Sequence, residues 1–277
     1  MSEIVSTTAT LTGRELRDAL RSRWFLMYTI AFAALGLAVS YVSAANVGGG
    51  LAGFGRTSAG LVNLVLLVVP LMSLTAGAGT IASDRERGML LYLLAQPITR
   101  TELLLGKFIG LALTLVCSIC LGFGVVAAVL AWSGSATHPA SLFQLAGLTV
   151  ALALAMLSVG ILLSTFARRT SVAIASAVFL WLAFVFVSDL GLMAGAMTFK
   201  LPIEQLFGWS MVNPLQVFKM WALRSVDASL DVLGPAGLYA EQTYGRSLGA
   251  IFAAALCAWT VCPLLVASLL FRRRSAV

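Results

Sequence analysis

Ser141–Ala167, SLFQLAGLTVALALAMLSVGILLSTFA, contains no Asp, Glu, Lys or Arg. As a helix rising 1.5 Å per residue it would extend about 40 Å, more than the hydrocarbon depth of a bilayer. Lipid supplies no partner for a backbone N–H or C=O, so a segment of this kind must be helical. Outward from it lie five more runs of the roughly 20 apolar residues that a crossing requires. They are Trp24–Ala45, Leu61–Ala82, Phe108–Trp132, Ser171–Phe199 and Ser247–Phe271. Of all six, only Ser171–Phe199 holds a charge, Asp189. Pro70 and Pro263 lie inside spans, where neighbouring helices can satisfy the freed carbonyls. The expectation is an all-α integral membrane protein with six transmembrane helices, forming one domain over residues 1–277.

The composition excludes the soluble alternative. Of 277 residues 60% are hydrophobic and 10% charged, whereas a soluble domain carries about 25% charged residues. Residues 1–23 are polar, and the apolar run after them is too long for a signal-peptide core. Cys117, Cys120, Cys257 and Cys262 all sit in apolar runs, so they do not read as a disulfide framework.

The net charge of +7 has a membrane explanation. Thirteen of the 18 basic residues fall on one side of the six-span topology: Arg14, Arg17, Arg21, Arg23, Arg85, Arg87, Arg100, Lys107, Arg168, Arg169 and Arg272 to Arg274. Arg56, Lys200, Lys219, Arg224 and Arg246 fall on the other. Basic loops stay in the cytoplasm. Both termini are therefore expected there, in a bacterial inner membrane, and no nucleic-acid partner is implied.

Three segments outside the spans carry further signals. Leu11–Arg23 reads as an interface helix, with Leu16, Ala19 and Leu20 on one side and Arg14, Arg17, Asp18 and Arg21 on the other. A plain basic flank is the alternative. In 83–107, Ser83-x-x-Glu86 matches a capping box and predicts a helix starting at Ser83. An apolar run, Met89–Leu94, follows; Gln96-Pro97 ends it, and Thr101 and Glu102 open the next helix. That apolar stripe needs a cover, from this chain or from a cytoplasmic partner. On the outer side, 200–246 contains aromatic-rich stretches and an Asn213-Pro214 turn signal. A short helical hairpin on or in the outer leaflet is expected.

Catalytic chemistry has little to stand on. Gly106-Lys107-Phe108 lacks the rest of a phosphate loop, and His138 is the only histidine. No nucleophile–base pair is evident. Cys117-x-x-Cys120 shares a helix face, and so do Met193 and Met197, with Met211 and Met220 in the outer segment. Soft sulfur ligands suit Cu(I), but ordinary packing is the simpler account of them. A carboxylate within a span, Asp189, is either a functional group or a hydrogen-bonded structural one. Gly106/Gly110 and Gly191/Gly195 match the small-xxx-small spacing of close helix contacts.

The run Ser83-Asp84-Arg85-Glu86-Arg87-Gly88-Met89-Leu90-Leu91-Tyr92-Leu93-Leu94-Ala95-Gln96-Pro97-Ile98-Thr99-Arg100-Thr101-Glu102-Leu103-Leu104-Leu105-Gly106-Lys107 resembles the coupling region of ABC-2 type permeases. The resemblance covers essentially the whole chain. It implies the ABC-2 (type V) permease fold, a homodimer, and a cytoplasmic ABC ATPase docked on the coupling helix. ATP and Mg²⁺ would sit on that ATPase, so this subunit is not itself an enzyme and binds no cofactor. Asp84, Arg85, Glu86, Arg87, Leu90, Leu91 and Leu94 are the candidate ATPase-coupling residues. Within the family, Arg14–Trp24, Ser188-Asp189-Leu190 and Val212–Met220 are similar to permeases serving nitrous oxide reductase maturation. That similarity implies a periplasmic β-helical partner, a copper chaperone, and copper handled by those partners. Asp189, Asn213, Pro214, Lys219 and Arg224 are the candidate residues for the periplasmic contact. An ABC-2 exporter of a lipid, glycan or drug-like molecule, and a non-transporting membrane scaffold, are the competing readings.

Overall fold

A computed structural model describes residues 13, 17, 29–34, 36–38, 51–95, 99–132, 139–197, 202–225 and 243–273. Among these residues every regular element is helical. In chain order the α-helices are α1 (Thr29–Ala38), α2 (Leu51–Glu86), α3 (Met89–Leu94), α4 (Arg100–Trp132), α5 (Pro139–Phe166), α6 (Thr170–Met197), α7 (Ile203–Met211), α8 (Pro214–Ser225) and α9 (Leu248–Arg273), the last preceded by a 3-10 turn at Gly245–Ser247. The proposed interface helix at 1–23 and the loop with His138 lie outside the described residues, apart from helical, exposed Gly13 and Arg17.

Five described helices are long and apolar enough to cross a membrane: α2, α4, α5, α6 and α9. They correspond to five of the six spans read from the sequence. The other, Trp24–Ala45, is described only in part, as the apolar helix α1. It packs on α4, where the Thr29 and Ser118 hydroxyls lie 2.7 Å apart and the Phe32 and Phe123 rings 5.6 Å. Two spans outrun their sequence-based limits: α2 has 36 residues and α4 has 33.

The bundle is organised around α5. Two-thirds of its membrane window (67%) is buried by protein, against 11% for α6. Its partner is α2, and two glycines set their approach. A Cβ on Gly77 would stand 2.7 Å from the Leu157 carbonyl oxygen, and one on Gly160 2.5 Å from that of Leu74. Backbone therefore meets backbone at this crossing, a contact only glycine permits. Gly191, from one of the spacing motifs, has open space where its Cβ would be. Close approach here joins a glycine of α2 to a glycine of α5, neither of them in the glycine pairs singled out from the sequence.

The core runs through Leu61, Val65 and Leu74 of α2 and Leu145, Leu152 and Met156 of α5. It continues into Leu215, Phe218 and Ala222 of α8. The second helix of the expected hairpin thus dips inward: eight of its 12 residues are buried. Asn213 anchors it. Its side-chain carbonyl accepts from the Leu215 N–H at 2.9 Å, capping α8, while its amide donates to the Phe184 carbonyl at 2.6 Å. Pro214 takes the first helical position, where no N–H is needed.

Candidate coupling region

The helix predicted to start at Ser83 does not start there. Nothing in Gly79–Ala82 breaks α2, so Ser83 falls in its interior, and its hydroxyl donates to the Thr80 carbonyl at 3.2 Å. The helix stops instead at Gly88, whose φ of 71° is a left-handed conformation that favours glycine. A reciprocal capping box does form, at Thr99-x-x-Glu102. The Thr99 N–H donates to Glu102 Oε2 at 2.9 Å, and the Glu102 N–H to the Thr99 hydroxyl at 3.3 Å. It starts α4 at Arg100, one residue ahead of the expected Thr101.

The charges around this turn are directed at neighbouring helices. Asp84 pairs with Lys107 of α4 at 2.7 Å; the lysine side chain is 5% exposed and the aspartate 19%. Arg85 donates to the Ala167 carbonyl just after α5. Glu86 accepts the Thr170 N–H at 2.9 Å, so the end of α2 caps the start of α6. A carboxylate there satisfies an orphan donor and meets the positive end of the helix dipole. Glu86 lies beyond the apolar stretch of α2 and is exposed. The Thr170 hydroxyl and amide, reinforced by Arg169 and Arg87, hold its carboxyl below the usual value. Arg100 donates to the Phe271 carbonyl at 3.0 Å and lies 6.0 Å from that ring's centre, linking α4 to the end of α9.

α3 hangs from this framework. Leu90 and Leu93 are buried, in a cluster with Ile81, Leu103, Leu104, Ile161 and Phe271. Met89, Leu91 and Tyr92 point outward, with Leu91 54% and Tyr92 63% exposed. Arg87 is exposed beside them. The seven candidate residues therefore divide. Asp84, Arg85 and Glu86 bind other helices of the same chain, Leu90 packs inward, and Arg87 and Leu91 face out; the Leu94 side chain lies outside the described residues. Sequence reasoning passed over Met89 and Tyr92 on the outward face. A signal was present for Tyr92: a phenol in an apolar run prefers the side where its hydroxyl stays wet.

At the opposite end, Asn213 and Pro214 are buried, and Lys219 is half-buried. Arg224 donates from Nη2 to the Gly245 carbonyl at 2.8 Å; its buried Nη1 has no hydrogen-bond partner among the described residues. Asp189, Met193 and Met197 lie in the final turns of α6, with side chains outside the described residues. Cys117 and Cys120 are exposed on α4. Among the described residues no group of three or more His, Cys, Asp or Glu could hold a metal ion.

Residues 9–276 match the family described as ABC-2 family transporter protein. Two relatives carry the name "Probable ABC transporter permease protein NosY". That of Stutzerimonas stutzeri is 30% identical over 268 residues, 94% of this chain and 96% of the relative. That of Pseudomonas aeruginosa is 31% identical over 272 residues, 96% and 98% respectively. The chain belongs to the ABC-2 transporter family.

Proposed function

We propose that this ABC-2 family permease couples ATP hydrolysis by a cytoplasmic ABC ATPase to events beyond the membrane, in the delivery of copper to nitrous oxide reductase. The observation that carries the reading is the construction of α3. An apolar outward face of Met89, Leu91 and Tyr92 is joined to a root of charged contacts on the other helices. A partner pressing on that face moves a helix whose flanks hold α4, the α5–α6 turn and, through Arg100, α9. Rigid spans then carry the motion to the hairpin α7–α8. Each contact is a candidate element; coupling itself is an energetic property that only perturbation measures.

In this reading the basic end faces the cytoplasm, consistent with 13 of 18 basic residues there. Two copies form the membrane dimer. The ATPase, NosF-like, carries ATP and Mg²⁺. A NosD-like β-helical protein engages the periplasmic end, and a NosL-like chaperone brings the copper. Asn213 and Pro214 position α8 from within. Asp189, Lys219 and Arg224 serve the periplasmic contact; Nη1 of Arg224, buried and without a hydrogen-bond partner among the described residues, suits an acidic partner. The near full-length similarity to two NosY permeases supports the copper part of the proposal.

The test is recovery of the tagged full chain from native membranes in gentle detergent, followed by mass spectrometry. Co-purification of an ABC ATPase and a periplasmic repeat protein is expected. An ATPase alone would replace the copper reading with a general exporter, and absence of any ATPase would overturn the coupling role.

A further inference from the structure

One turn along from the Gly77–Gly160 crossing, towards the basic end, α2 and α5 are joined a second time. The main-chain N–H groups of Ile81 and Ala82 both donate to the Ser164 hydroxyl oxygen, at 2.9 Å each. A hydroxyl oxygen carries two lone pairs, so one serine can accept both. In an α-helix those N–H groups are directed at the carbonyls of Gly77 and Ala78, so Ser164 gives them an acceptor on another helix. Ser164, Ile81 and Ala82 are all buried, so water does not compete for these bonds.

The stretch of α2 that Ser164 grips is intrinsically weak. Gly79 has open space where its Cβ would be, so no contact requires glycine there, and glycine inside a helix lowers its stability. The hydroxyls of Thr75, Thr80 and Ser83 each donate to a carbonyl three or four residues earlier in α2. Bonds of that kind weaken a helix slightly and often bend it. Just beyond, Asp84, Arg85 and Glu86 fix the base of α3. A weak stretch directly behind that base would bend under load and absorb it.

We propose, on the basis of the coupling role of α3, that Ser164 is a positioning residue. It splints the weak stretch of α2 to the central helix α5, so that a displacement of α3 reaches α5 instead of bending α2. The Gly77–Gly160 contact sets how closely the two helices approach. The paired bonds at Ser164 add direction one turn further on, and the two together resist both sliding and rotation of α2 against α5.

The experiment is hydrogen exchange, read by mass spectrometry, on the full-length chain with its co-purified ATPase in lipid nanodiscs, with and without ATP. Without ATP, Ser164→Ala should speed exchange over residues 80–88 about tenfold, within the range for losing two ordinary hydrogen bonds, and leave residues 61–69 unchanged. Gly79→Ala enters open space and stiffens the helix. Added to Ser164→Ala, it should slow that exchange again by about threefold. With ATP, the wild type should change its protection at α7–α8. Ser164→Ala should keep the ATPase bound and lose that change, and the double variant should restore it. Rescue by a residue that fills no gap at Ser164 separates splinting from mere loss of packing. Unchanged or slower exchange over 80–88 in Ser164→Ala would overturn the proposal, because Gly77 and Ala78 would then hold the N–H groups as well alone. So would an ATP response that survives in Ser164→Ala. Should Ser164→Ala fail to fold, Gly79→Ala alone decides: slower exchange over 80–88 supports a weak stretch there, and no slowing overturns it. A wild type without any ATP response at α7–α8 would count against the coupling role of α3, while faster exchange in Ser164→Ala would still support the splint.

Discussion

Two short helices outside the spans, α3 and α8, both carry apolar side chains but place them oppositely. α8 turns Val217, Phe218 and Ala222 into the bundle and is capped by a buried Asn213. α3 buries Leu90 and Leu93 but leaves Met89, Leu91 and Tyr92 uncovered, and charged residues fix its base. A helix sealed into a core contributes stability. One held at its flanks with an apolar side free can be moved by whatever covers that side. The contrast makes α8 the wedge of this molecule and α3 its handle.

The largest effect that would sharpen this contrast belongs to the wedge. Phe218→Ala should lower stability by about 3–5 kcal/mol, as for other fully buried aromatics. Thermal unfolding in detergent would show it; a change no larger than that of Leu91→Ala would break the comparison. Next comes the base of the handle. Asp84→Asn leaves the buried Lys107 charge without its carboxylate and should destabilise by about 3 kcal/mol, the low end for a buried pair because Asp84 is 19% exposed. The double variant Asp84→Leu/Lys107→Met should regain most of that in the same unfolding assay, while transport-coupled ATPase activity stays impaired. Asn213→Ala removes a cap and a tether together and should lower stability by about 1–2 kcal/mol.

The smallest effect concerns Glu86. Its folded pKa is depressed, so its contribution is present above the ordinary value of 4.5 and is lost as pH falls through the lowered one. Protection of the Thr170 amide, measured against its intrinsic exchange rate, should fall over that acidic range in the wild type. In Glu86→Gln the amide should be insensitive to pH there, beyond the intrinsic exchange rate. Equal acid sensitivity in both proteins would remove Glu86 from the framework.

Much of the bundle was legible because apolar runs of this length allow only one conformation in lipid. What escaped was settled by partners far apart in sequence. Ser83-x-x-Glu86 and Thr99-x-x-Glu102 fit the same capping pattern, yet only the second caps, because Ser83 continues a helix already under way. Glu86 does cap a helix, but one that begins at Thr170. Gly77 and Gly160 are not part of the glycine pairs singled out from the sequence and meet only in the folded bundle. The coupling region could be located from sequence, whereas its division into charges that bind inward and an apolar face that points outward required the fold. At the opposite end, Asn213-Pro214 was readable as a turn; that its asparagine would reach the Phe184 carbonyl was not.

The most direct test of the handle is Leu91→Arg in the full-length tagged chain, assayed for membrane insertion and for ATPase co-purified in gentle detergent. Leu91 is 54% exposed, so insertion and thermal stability should stay at wild-type levels. The ATPase should be lost from the complex. Wild-type recovery of the ATPase with this variant would contradict it, and would place the docking surface elsewhere on the basic end.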